Sequence, residues 1–196
     1  MQDKTNDQYR HVLESKLGVT PFDCGRAIVE LPFKGELSVS VYSSSQGNRQ
    51  TRYFVTYVKA EHNLWQRTRM LKHPEAARSV RAMRHDAEIP ETTAKVKDVW
   101  IRMLKDVRRS QPSSHPYMMG GEYVIGGLDR EFSIQQSYDS LRYGRLFRSP
   151  VPGTKTDAFL KLTEMLIDYC EAAPADRPAI GDNIDRQAKS LITRLK

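Results

Sequence analysis

The segment from Phe159 to Cys170 limits the fold of this chain more than any other. Phe159, Leu160, Leu162, Thr163, Leu166, Ile167, Tyr169 and Cys170 cover more than half the circumference of a helix. A helix this apolar has to be buried, and the strand-patterned stretch just before it is the simplest cover. Within that stretch, Glu122 to Ile125 is a short β-prone run that ends at Gly126-Gly127. Arg130 to Tyr138 alternates, with Phe132, Ile134, Gln136 and Tyr138 on one face and Ser133, Gln135 and Ser137 on the other. Leu141 to Arg148 alternates again after the turn-sized Asp139-Ser140. Ser149-Pro150-Val151-Pro152-Gly153 admits neither strand nor helix and turns the chain. Thr154, with Asp157 three residues on, then has the spacing of a capping box, and Thr156 is a rival cap.

The first third has the same character. Tyr9, Val12, Leu13 and Leu17 have helical spacing in a polar lead-in, residues 1–20. Ala27 to Phe33 and Glu36 to Tyr42 read as strands around Lys34-Gly35, and Thr51 to Lys59 as a third. The middle changes period: helical pieces are expected over Asn63 to Leu71 and Glu75 to His85, the second with Ala76, Val80 and Met83 inward. Glu91 to Arg109 carries a gapless i, i+3, i+4 stripe of Val96, Val99, Trp100, Met103, Leu104 and Val107, which predicts Trp100 and Leu104 in the main core. Ala172 to Pro178 reads as a loop, and Ile184 to Leu195 as a final basic helix. Strands, helices, strands, helices is an α+β order, without the βαβ alternation of a parallel sheet. The expected architecture is an antiparallel sheet built from two meanders, about 27–59 and 122–148, with helices packed on one face. A single domain over residues 1–196 is expected, with strands and central helices in 27–148 and C-terminal helices in 154–196.

Charge points to the middle of the chain. Of a formal net charge of +7, most comes from Lys59 to Arg109, where thirteen basic residues face seven acidic ones. Such a segment attracts nucleic acid or another polyanion, or else forms a solvated mixed-charge face. The polyanion candidates are Arg67, Arg69, Lys72, Arg78, Arg81 and Arg84, with Arg78, Arg81 and His85 sharing a face of the expected helix. No RNP-type aromatic motif, zinc-finger spacing or helix-turn-helix accompanies them.

Catalytic signatures are sparse. GxxxxGK[ST], GxGxxG in a strand–helix context, GxSxG and HExxH are absent. The one local constellation is His85-Asp86 with Glu88 and Glu91, an imidazole and three carboxylates suited to acid–base work or to a helix end followed by a polar turn. His85, Asp86 and Glu88 are therefore the candidate catalytic residues; no metal site and no cofactor is expected. Cys24 and Cys170 have no zinc-ligand spacing and are expected to be free thiols. No apolar run approaches the ~18–20 residues of a membrane span. The expected location is cytoplasmic, or periplasmic or secreted if a signal peptide was removed before residue 1. These features favour a non-catalytic binding domain for a protein or other macromolecule, protein before nucleic acid. A polyanion binder using 59–109 and an enzyme of unrecognised motif are the alternatives.

Overall fold

The computed structural model describes residues 11–13, 15–17, 24–30, 35–44, 51–64, 67, 79–99, 102, 129–135, 141–146 and 152–195. They form an α+β structure with an antiparallel sheet. Its strands are β1 (Cys24–Glu30), β2 (Leu37–Ser44), β3 (Arg52–Ala60), β4 (Ala82–Ile89), β5 (Asp129–Gln135) and β6 (Leu141–Leu146). The helices are α1 (Glu91–Ala94), α2 (Lys155–Glu171) and α3 (Arg177–Arg194). The strand order is β4-β3-β2-β1-β5-β6, and every neighbouring pair is antiparallel.

Strand alternation sends the residues of β2 and β3 to opposite faces. Val39, Val41, Val55 and Tyr57 look toward the long helices, where they join Ala87 and Ile89 of β4 with Leu162, Leu166, Ile184 and Leu191 in the larger core. Two hydrogen bonds tie α2 down onto the strands. The Tyr169 hydroxyl donates to the Glu88 carbonyl at 3.2 Å, and the Cys170 thiol lies 3.9 Å from the Val55 carbonyl. On the other face a smaller cluster gathers Val58, Ala60, Leu64 and Val80 with Val12, Leu13 and Leu17 of the helical residues 11–13 and 15–17. There the Ser38 hydroxyl donates to the Leu17 carbonyl at 2.8 Å.

Where β2 begins, Gly35 is required by close approach: a Cβ there would lie 1.7 Å from the Ala60 carbonyl oxygen. Glu36, wholly buried, follows it. Its carboxylate accepts the Leu64 N–H at 2.6 Å, and its backbone carbonyl accepts the Ala60 N–H at 2.9 Å. A buried carboxylate thus satisfies an N–H group that the start of a helical segment at Leu64 leaves open, where the Asn63 carbonyl accepts the Arg67 N–H at 3.2 Å.

The capping expectation at Thr154 matches the structure: its hydroxyl accepts the Asp157 N–H at 3.2 Å, while the Asp157 carboxylate accepts the Gly153 N–H at 2.8 Å. Those contacts, the Gly153 N–H first and Lys161 next, hold the Asp157 carboxyl below its ordinary range. Val96 and Val99 lie in the larger core as the stripe predicts, whereas Trp100 and Leu104 fall outside the described residues.

Two expectations are corrected. Residues 82–89 form strand β4, not the end of a helix. As an edge strand it buries only Ala87 and Ile89, so charges at Arg84, Asp86 and Glu88 obscure its period of two, and Met83 is exposed rather than inward. Helix α3 begins at Arg177, seven residues before the expected Ile184. Pro178 opens the helix, because a first-turn residue has no intrahelical N–H bond to lose. Gly181, between the expected loop and the expected helix, is buried where α3 meets Thr93 and Tyr169.

Candidate functional site

The polar face of β2, β3 and β4 carries a connected set of aromatic, hydroxyl and charged side chains. The register sets Tyr42 opposite Phe54, Ser40 opposite Thr56, Thr56 opposite Asp86 and Phe54 opposite Glu88. The Tyr42 and Phe54 rings stack with centroids 5.6 Å apart and planes at 23°. The Arg52 guanidinium lies over Phe54 at 5.5 Å and donates its Nε–H to Glu88 at 2.8 Å, with a second bond from Nη2. Beside this, the Thr56 hydroxyl donates to Asp86 and lies 3.4 Å from the Tyr42 hydroxyl. Arg84 grips both oxygens of Asp86, at 2.9 and 3.1 Å from Nε and 3.0 Å from Nη2.

These contacts set the charges of the patch. Partial burial pushes the Asp86 carboxyl up, but the bonds from Arg84 and Thr56 and the charge of Arg84 outweigh it and hold the carboxyl below its ordinary value. Hydrogen bonding from Arg52 holds the Glu88 carboxyl down in the same way. Both acids are thus carboxylates locked onto guanidinium groups. Neither has the raised value of a general acid near neutrality. Ser40 is fully buried, and its hydroxyl has no hydrogen-bond partner among the described residues.

The candidate acid–base residues are divided by strand geometry. Asp86 and Glu88 belong to the polar face, while His85 points to the opposite side and stacks on Tyr57 at 5.9 Å. Burial first, then the Glu171 carboxylate, pushes the Tyr57 hydroxyl up to about 12, so this phenol stays protonated. Glu91 is exposed in α1 and lines a groove of about 410 Å³ with Thr51, Arg52, Tyr53, Glu88, Ile89 and Pro90. The groove is open to solvent and the Arg52–Glu88 pair stands in it, so it does not enclose a reacting group.

Among the polyanion candidates, Arg84 is the member that joins the patch. Arg81 is exposed just before β4, and Arg67 is half-buried and helical; Arg69, Lys72 and Arg78 fall outside the described residues. The helical face expected for Arg78, Arg81 and His85 is not formed over its described part, because His85 belongs to strand β4 and Arg81 directly precedes that strand. Tyr42, Phe54 and Thr56 were not singled out by sequence reasoning. The signal was present in the strand alternation: Tyr42 falls in register with the serines of β2, opposite its apolar face.

Cys170 is buried and outside any disulfide, and burial pushes its thiol up to about 12, which makes it a packing residue rather than a nucleophile. The side chain of Cys24 falls outside the description. Among the described residues no three His, Cys, Asp or Glu side chains gather as a metal-binding group, and no helix is long and apolar enough to cross a membrane. Against known proteins, no family model, no curated protein and no solved structure matches this chain.

Proposed function

We propose that this chain is a non-catalytic binding domain whose partner is a protein, engaged by the polar face of β2, β3 and β4. In this reading the sheet joins two meanders, about 27–59 and 122–148. The long helices pack on one face and leave the Tyr42–Phe54 end of the other for the partner. The observation that carries the reading is one-for-one charge pairing around an aromatic stack: Arg52 on Glu88 and Arg84 on Asp86, beside Tyr42 and Phe54. Tyrosine and arginine are the residue types that dominate protein interfaces, and their ion pairs hold them pre-ordered. The same pairing argues against the polyanion alternative. Phosphate binding draws on cations whose counterions are released, and these two guanidinium groups already face carboxylates.

The test compares the wild type with a Tyr42→Ala/Phe54→Ala variant of unchanged circular dichroism, each immobilised and challenged with the same cell extract. Proteins retained by the wild type and lost by the variant are expected. A parallel titration with a short DNA duplex reads the alternative. A steep salt dependence, approaching a log–log slope of about −0.9 per phosphate contact, that flattens in an Arg78→Ala/Arg81→Ala/Arg84→Ala variant would replace the protein-binding reading with a polyanion one.

A further inference from the structure

Strand β4 ends the sheet on one side, and no described strand pairs with its outer edge. Residues 81–86 are all exposed, and Met83, at 49% exposure, is the large hydrophobic residue that stands out among them. We propose that β4 pairs with β4 of a second copy across a two-fold axis centred on His85, so that two sheets become one. The proposal rests on the protein-binding reading above and names one partner for it, at an edge rather than at the Tyr42–Phe54 face.

The register follows from which backbone groups face outward. The Glu61 N–H donates to the Arg81 carbonyl at 3.0 Å, so residue 81 addresses β3. Antiparallel alternation then directs 83, 85, 87 and 89 to β3 as well, and leaves the N–H and C=O groups of Ala82, Arg84 and Asp86 and the N–H of Glu88 at the open edge, where the Glu88 carbonyl already accepts the Tyr169 hydroxyl. In a two-fold pairing, outward residues must exchange hydrogen bonds with outward residues, so the axis has to pass through a residue position. An axis at Arg84 sets guanidinium against guanidinium, and one at Asp86 sets carboxylate against carboxylate. An axis at His85 sets Arg84 opposite Asp86 of the second copy, and does so twice, with an exchange of N–H···O bonds at each pair. Met83 then comes opposite Ala87 of the second copy, which covers its exposed side chain.

Charges on an edge strand ordinarily prevent pairing. Here the two charges have opposite sign and lie two residues apart, so they complement their own copy in the isologous arrangement that a two-fold axis demands. The internal bond between Arg84 and Asp86 need not break, since both groups remain on one face and a ring of alternating charge forms.

Sedimentation velocity of the full chain, from micromolar to sub-millimolar concentration, tests the proposal. The wild type is expected to associate to a dimer. Arg84→Asp and Asp86→Arg should each weaken it by roughly tenfold or more, since two attractive cross-strand pairs become repulsive. An equimolar mixture of the two variants should dimerise again, because every introduced charge then faces an opposite one on the other chain. That recovery separates the interface from simple loss of the internal ion pair. Should either variant misfold, hydrogen exchange on the wild type decides: protection of the Arg84, Asp86 and Glu88 amides must rise with concentration. A wild type monomeric throughout, a dimer that neither charge change weakens, or concentration-independent exchange at these amides overturns the proposal. The extract experiment on Tyr42 and Phe54 reads the other surface, so failure of one result does not stand in for failure of the other.

Discussion

The two faces of β2 and β3 come from alternate residues of the same segments, yet different physics holds each in place. Toward the long helices, Val39, Val41, Val55 and Tyr57 interlock with Leu162 and Leu166, and what counts is volume and apolar area. On the far side, Ser38, Ser40 and Thr56 are as deeply buried as those valines. They depend on few partners: Ser38 has the Leu17 carbonyl, Thr56 has Asp86 and the Tyr42 hydroxyl, and Ser40 has none among the described residues. An apolar face averages over many weak contacts, whereas a buried polar face depends on each bond being made. The functional reading falls on the second face, where side chains keep their chemistry.

The largest effect should come from the apolar face. Leu166, with no exposed surface, sits between α2 and the sheet. Leu166→Ala is expected to cost about 2–5 kcal/mol in urea unfolding, transfer and cavity combined. A cost no greater than that of an exposed substitution would remove α2 from the core and break the contrast at its stronger side.

Next comes Glu36, a polar residue buried as completely as any valine. Alanine in its place strips the Leu64 N–H of its acceptor, at an expected cost of about 1–3 kcal/mol. Glu36→Gln should recover part of this, because an amide oxygen still accepts the bond. If glutamine proves as costly as alanine, the charge and not the hydrogen bond is what the site requires.

These two residues also show how the chain could be read from its letters. The apolar helix around Leu166, its Thr154 cap and the alternation of Leu37, Val39 and Val41 were legible, because burial of area imposes a period and period is visible in sequence. Glu36 was not, since nothing local distinguishes a buried glutamate from a solvated one; its acceptor role depends on Leu64, twenty-eight residues away. The first half of strand β4 is not legible as a strand, because an edge strand exposes most of its residues and so needs no apolar alternation. The consequence reached the candidate site: His85, Asp86 and Glu88, neighbours in sequence, were divided between two faces. Arg52, which completes the ion pair with Glu88, came from a strand thirty-six residues earlier. Cross-strand partners of this kind are set by register, and register is a tertiary property.

A subtler comparison lies within the polar face, where Ser40 and Thr56 stand opposite each other. Thr56→Val removes a satisfied hydroxyl and is expected to cost about 1 kcal/mol, while Ser40→Ala removes an unpartnered one and should be neutral or slightly stabilising. Equal losses at the two positions would show that Ser40 has a partner in the folded protein. Asp86 adds a pH signature. Its folded pKa is depressed, so its contribution is complete above its ordinary value of 3.8 and is lost as pH falls through the lower folded value. Stability measured from pH 5 downward should therefore decline less steeply in Asp86→Asn than in the wild type. Parallel curves would mean that Arg84 and Thr56 do not favour the carboxylate.

The smallest effect should come from the pair with the fullest set of contacts. Arg52 reaches Glu88 through two bonds and also covers Phe54, yet both side chains of the pair are about half exposed or more, at 62% and 48%. Water and salt screen such a pair, and ordering two long side chains offsets much of the attraction. Glu88→Gln should therefore leave the melting temperature unchanged within error at physiological salt, even though it removes the charge that holds Arg52. The same substitution should alter partner retention, because a released Arg52 no longer presents Phe54 in a fixed geometry. A variant that melts earlier without any change in retention would assign the pair to stability and leave the Tyr42–Phe54 stack to account for binding without it.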